Sequence, residues 1–175
     1  MKLKLTTAGP RYTALIRLLR TAEALWNASR RFFDRWQISP SQFNLLNLLH
    51  GQPDGCTQTE LSRQLIMHRS NVTGLIDRLE QRGLVRRTDS ATDRRAWRVA
   101  LTPAGQRLVR RILPHYYAAA EEIWGNLPVR RTEELAADLE HLDENAERVG
   151  RRAAESPPTL PRRPRPNHKS QIPNP

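Results

Sequence analysis

Residues 57–85 read TQTELSRQLIMHRSNVTGLIDRLEQRGLV, and this stretch decides the fold. Thr57 and Glu60 stand three residues apart, the spacing of a reciprocal capping box, so a short helix opens there with Leu61 and Leu65 turned inward. After a tight connection around residues 66–68, a second helix collects Val72, Leu75, Ile76 and Leu79 on one face. Gly83 then stops it as a C′ residue. Two short helices in succession, the second apolar on one side and polar on the other, make a helix-turn-helix candidate.

Downstream the period changes. Leu84-Val85-Arg86-Arg87 and Trp97-Arg98-Val99-Ala100-Leu101 are alternating stretches that flank a polar connection over residues 89–95, with two arginines at its far end. This is a small β-hairpin attached to the helix pair, a wing. Thr102-Pro103 caps a long helix striped by Leu108, Ile112, Tyr116, Ala120, Ile123 and Leu127. Pro114 should kink it, because the ring removes a backbone donor and clashes with the preceding turn. A last helix, over residues 129–149, carries Leu135, Leu139, Leu142 and Ala146.

Upstream, Leu15, Leu18, Leu19, Ala22, Leu25, Trp26, Phe32, Phe33 and Trp36 step by three and four, the period of one helical face. Ser39-Pro40-Ser41-Gln42 supplies an N-cap, a first-turn proline and a reciprocal glutamine ahead of Phe43, Leu46 and Leu49. Gly51, Pro53, Asp54 and Gly55 end that helix. The expected fold is therefore mainly α with a small β-wing: a winged helix-turn-helix flanked by long N- and C-terminal dimerisation helices.

Composition agrees with a polyanionic partner. The chain has 175 residues and 38% apolar content, enough for one compact domain or two small lobes. It carries 29 Lys plus Arg against 18 Asp plus Glu, a net charge of +11. Residues 151–175 hold seven of the 13 prolines and six basic residues against the single acid Glu155, and read as a disordered basic tail. Taking the tail's +5 from +11 leaves +6 on residues 1–150, so the body is basic too. No secretory h-region and no membrane-length apolar run is present in this sequence, which points to a cytoplasmic protein without a membrane partner, nucleoid-associated through the DNA binding read below.

The segments TQTELS from Thr57, NVTGLIDRLEQRGLV from Asn71, Asp93-Arg94-Arg95 and Leu101-Thr102-Pro103-Ala104-Gly105 occur in this order and spacing. Together they closely resemble the MarR family of bacterial transcription regulators over about residues 10–150. The resemblance implies one MarR-like domain over residues 1–150. Within it, dimerisation helices would occupy 10–37 and 103–150, and the DNA-binding lobe 38–102.

The residues themselves suggest roles. A helix entering the major groove by its N-terminal half needs short or bidentate polar side chains there, and Arg69, Ser70, Asn71, Thr73 and Gly74 fit. Thr57 and Gln58 suit a phosphate contact at a helix N-terminus, and Arg78 falls near backbone phosphate one turn on. By resemblance Arg95 enters the adjacent minor groove, Asp93 orients the wing and Arg94 is left for phosphate. The plain alternatives are solvated arginines and a structural Asp93–Arg95 turn pair.

The long helices should interlock with a second copy through Leu15, Leu18, Leu19, Leu139, Leu142 and Ala146, giving a homodimer on a pseudo-palindromic double-stranded operator. Trp36, Phe43 and Tyr116 belong to an aromatic set whose default role is core packing and whose sharper role is an effector pocket. The resemblance implies repression relieved by a small aromatic or phenolic effector. A constitutive DNA binder and a winged-helix protein-interaction module are the rival readings.

Cys56, the only cysteine, reads as a small buried hydrophobe rather than a redox sensor. His50, His68, His115, His141 and His168 lack metal-ligand spacing. No phosphate loop, nucleophile elbow or acid–base pair points to an enzyme, and no metal or cofactor is implied.

Overall fold

The capping signals place the helices. In the computed structural model, which describes residues 9–65, 72–89 and 97–155, α1 spans Pro10–Asp34 and α2 spans Pro40–His50. At the start of α2 the Ser39 hydroxyl accepts from the Gln42 N–H at 3.2 Å, and the Gln42 side chain accepts from the Ser39 N–H at 2.8 Å. The same reciprocal box opens α3, Gln58–Gln64: Thr57 Oγ1 accepts from the Glu60 N–H at 3.2 Å, and Glu60 Oε2 accepts from the Thr57 N–H at 2.7 Å. α4 spans Val72–Gln81, α5 Pro103–Trp124 and α6 Val129–Glu155.

Among the described residues there are three strands: β1, Cys56–Thr57; β2, Val85–Asp89; and β3, Trp97–Leu101. They form one antiparallel sheet in the order β1-β3-β2. The expected hairpin is present, with Val85 opposite Leu101, Arg87 opposite Val99 and Asp89 opposite Trp97. β1 was not anticipated. Two residues carry no periodicity, and β1 exists only because Cys56 pairs with Val99 across the sheet. Gly55 brings the chain into that pairing at φ +71°, where an added Cβ would lie 2.4 Å from the Val99 carbonyl oxygen.

α5 contains Pro114 in its interior. One boundary differs from expectation. α6 continues to Glu155, five residues into the segment read as tail, because Arg151 pairs with Glu147 one turn back at 3.0 Å and alanines follow at 153 and 154.

The chain forms two compact units, Met1–Ala119 and Ala120–Pro175. In the first, one apolar cluster joins Leu45, Leu46 and Leu49 of α2 to Leu61, to Val72, Leu75, Ile76 and Leu79 of α4, and to Val85 and Val99 of the sheet. A second cluster packs Phe33, Ile38, Phe43 and Ile112 with Phe32, Trp36 and Tyr116 around it. In the second unit α6 buries none of its side chains, and Leu135, Leu142 and Val149 recur on it at intervals of seven.

Candidate nucleic-acid interface

α4 has the division of faces that a reading helix needs. Val72, Leu75, Ile76 and Leu79 are buried to 2% exposure or less, while Thr73 and Arg78 are exposed on the other side. The apolar side anchors the helix and leaves its polar side as the free one.

Four of the expected contact residues come together. Gln58, the first residue of α3, donates from Nε2 to Thr73 Oγ1 of α4 at 2.5 Å. An added Cβ at Gly74 would stand 3.7 Å from Arg78 Nη1, so the guanidinium lies back over the glycine. Gln58, Thr73, Gly74 and Arg78 thus share one surface at the N-terminal side of α4. Thr57 stands beside them, half-buried, and its hydroxyl oxygen is engaged by the capping box. Arg69, Ser70 and Asn71, and Asp93, Arg94 and Arg95 of the wing, lie outside the described residues.

Ion pairs and hydrogen bonds that the sequence pattern did not reveal brace this surface. Arg87 of β2 pairs through its guanidinium with both Asp77 and Glu80 of α4, and its backbone N–H donates to Glu80 Oε1 at 3.0 Å. The Asp77 hydrogen bond holds the Arg87 guanidinium even more firmly charged than usual, against the opposing effect of burial. At the other end Arg82 donates to the Gln37 carbonyl at 2.6 Å. Gln37 is the one non-glycine residue with positive φ (+55°) among the described residues, in the turn between α1 and α2. Arg98 donates to the carbonyls of Asp54 and Gly55, at 2.9 and 2.6 Å, securing the loop before β1. In sequence these arginines are indistinguishable from solvated charge; only their register and the neighbouring carboxylates and carbonyls separate them.

The aromatic residues expected to line a ligand pocket are also assembled. Phe33 stacks on Phe43 at 4.5 Å between centroids, and Tyr116 lies 5.0 Å from Phe43. Phe43 is fully buried, whereas Trp36 and Tyr116 are partly exposed. Arg35 lies over the rings of Phe32 and Trp36 at 4.4 and 4.3 Å. Cys56 is buried, and desolvation, assisted by the Glu60 carboxylate, pushes its thiol above the ordinary range against an opposing pull from Arg98. Among the described residues no group of His, Cys, Asp and Glu could hold a metal ion, and no helix is long and apolar enough to cross a membrane.

An apolar-anchored helix with a free polar face, preceded by a capped short helix and followed by the β2–β3 wing, defines a winged helix-turn-helix protein. The sequence model described as the MarR family matches residues 36–96. The regulator PapX of Escherichia coli is 31% identical over 110 residues, covering 62% of this chain and 67% of PapX. The E. coli K12 protein named transcriptional repressor MprA is 32% identical over 99 residues, 56% of each chain, so this chain spans little more than half of MprA. The crystal structure of Sco3205, a MarR family transcriptional regulator from Streptomyces coelicolor in complex with DNA, superposes with a TM-score of 0.71 at 23% identity, over 79% of this chain and 89% of that one. The chain belongs to the MarR family of transcriptional regulators and is not an enzyme.

Proposed function

We propose that the protein binds double-stranded DNA as a homodimer on a pseudo-palindromic operator, represses transcription by occupancy, and is released by a small aromatic effector. The observation that carries the DNA part is the single surface formed by Gln58, Thr73, Gly74 and Arg78 on the free face of α4. Residues 69–71 immediately precede that helix and add Arg69, Ser70 and Asn71 to its N-terminal end by sequence. Arg95, oriented by Asp93, gives the wing its minor-groove contact, and Arg94 gives it a phosphate contact. Thr57 and Gln58 stand at the N-terminus of α3, where the helix dipole and the outward-facing backbone donors favour a phosphate.

Repression draws support from the name of MprA, a transcriptional repressor. Exposed apolar side chains supply the dimer contacts: Leu15 and Leu19 with Leu18 on α1, and Leu142 with Leu139 and Ala146 on α6. Two recognition helices about 34 Å apart match one turn of duplex. An effector would pack against the partly exposed Trp36 and Tyr116 and work against the packing on Phe43, shifting the spacing of the recognition helices.

The test is selection of a preferred duplex from a random pool, followed by binding measurements on variants. Arg78→Ala should weaken all duplexes alike and reduce the salt dependence by about one phosphate contact. Thr73→Ala should relax preference at one position at a cost of ~1–3 kcal/mol. Unchanged binding in both would favour a protein-interaction module. Sedimentation gives the oligomeric state. Aromatic acids that leave a formed complex intact would favour a constitutive regulator.

A further inference from the structure

Trp97 is the first described residue of the outgoing wing strand, and at 59% exposure it is more open than Trp26 at 41% or Trp124 at 42%. An indole left this open on a small domain is informative, because folding gains so little from it. The register shows which way it points. Trp97 lies opposite Asp89, Val99 opposite Arg87 and Leu101 opposite Val85, and these alternate positions share one face of the sheet. That face is turned to α4: Val85 and Val99 enter the core beneath the helix, and Arg87 reaches Asp77 and Glu80.

The level along α4 follows from the same contacts. The chain leaves the C-terminal end of α4, and Arg87 meets Glu80 and then Asp77, one turn nearer the N-terminus. Two further strand residues advance about 7 Å, a distance that about four to five helical residues cover. Counted from Glu80, where the Arg87 backbone N–H is held, that advance reaches about residues 75–76, within one turn of Thr73 and Gly74. Arg95 is only two residues away in sequence.

We infer that Trp97 is a DNA-backbone contact, its indole N–H donating to a phosphate oxygen and its ring lying against the neighbouring deoxyribose, on the groove wall between the recognition helix and the wing. This rests on the DNA-binding reading above. Indole has one donor and no acceptor, which suits a phosphate, and its flat apolar face suits a sugar. The body's excess of positive charge favours the same occupant. Such a contact positions the protein without reading bases, so it acts on every sequence alike.

The experiment titrates a random-sequence duplex at low ionic strength into the full chain, Trp97→Phe and Trp97→Ala, following both affinity and intrinsic tryptophan fluorescence. For the native chain, binding should quench part of the emission. Trp97→Phe should abolish that quenching and weaken binding about threefold, and Trp97→Ala about tenfold, with thermal stability and selected sequence unchanged. Quenching that persists in Trp97→Phe together with native affinity in Trp97→Ala overturns the inference while leaving the DNA-binding reading intact. Failure of the native chain to bind duplex overturns both.

Discussion

Gln58 and Thr73 are joined by a hydrogen bond between the first residue of α3 and the second residue of α4, fifteen residues apart in the chain. The bond sets the mutual orientation of the helices at the surface proposed to meet DNA. Because it is exposed, water competes for both partners. A double-mutant cycle with Gln58→Ala and Thr73→Ala, followed by urea unfolding without DNA, should give a coupling of about 0.5–1 kcal/mol. Strict additivity would mean that the two side chains do not hold one another in solution.

Arg87 is the strut between wing and reading helix. Replacing it with Met keeps much of the stem and removes the charge, leaving Asp77 and Glu80 near each other without a counterion. With the arginine side chain 27% exposed and its partners 47% and 37% exposed, solvent screens the pairs. The expected loss is about 1–2 kcal/mol, partly recovered by Asp77→Asn in the same chain, as measured by denaturant midpoint. No recovery would show that the deficit lies in packing rather than charge.

Gly105 should tolerate no side chain. A Cβ there would fall 2.1 Å from the Leu84 carbonyl oxygen, which is backbone at the entrance to the wing, so neither side can yield cheaply. Gly105→Ala is expected to cost about 2–3 kcal/mol or more in thermal or chemical unfolding. Gly150→Ala is the control, since nothing lies within 4 Å of the added carbon, and it should be neutral or stabilising.

Cys56 should be chemically quiet in the folded protein. Burial raises its thiol pKa, the Glu60 carboxylate adds to the effect, and the thiolate that reacts is correspondingly scarce. Alkylation by iodoacetamide at mildly alkaline pH should run slower than with a free thiol and reach the free rate only in denaturant. Equal rates in the native protein would return Cys56 to the list of sensor candidates.

Glu60 introduces an acid limb. The Thr57 backbone N–H, then the Thr57 side chain, hold its carboxyl below the ordinary glutamate range. A lowered folded-state pKa contributes stability that is present above the unfolded value and lost as pH falls through the folded one. Native stability should therefore fall with acidification below the ordinary glutamate range more steeply than that of Glu60→Gln. Thr57→Ala should cost about 1 kcal/mol at neutral pH through loss of the cap. Identical acid limbs for the native chain and Glu60→Gln would remove Glu60 from the account.

The order of elements was legible in the sequence because its signals are local. A capping box spans four residues, as at Ser39 to Gln42 and Thr57 to Glu60, and a buried helical stripe such as Val72, Leu75, Ile76 and Leu79 follows from the 3.6-residue period. The four segments of MarR resemblance added the family, and the polar residues left over on α4 marked its free face. Tertiary structure alone decided the rest: the two-residue strand β1, the engagement of Arg87, Arg82 and Arg98 by partners up to 45 residues distant, the Gln58–Thr73 bond and the side of the sheet on which Trp97 lies. Sheet pairing and ion pairing join residues far apart in the chain, and an arginine or tryptophan has the same composition whether it faces solvent, a carboxylate or a groove. The choice among these is made only when the register of β2 against β3 and the packing of α4 bring the distant partners within reach.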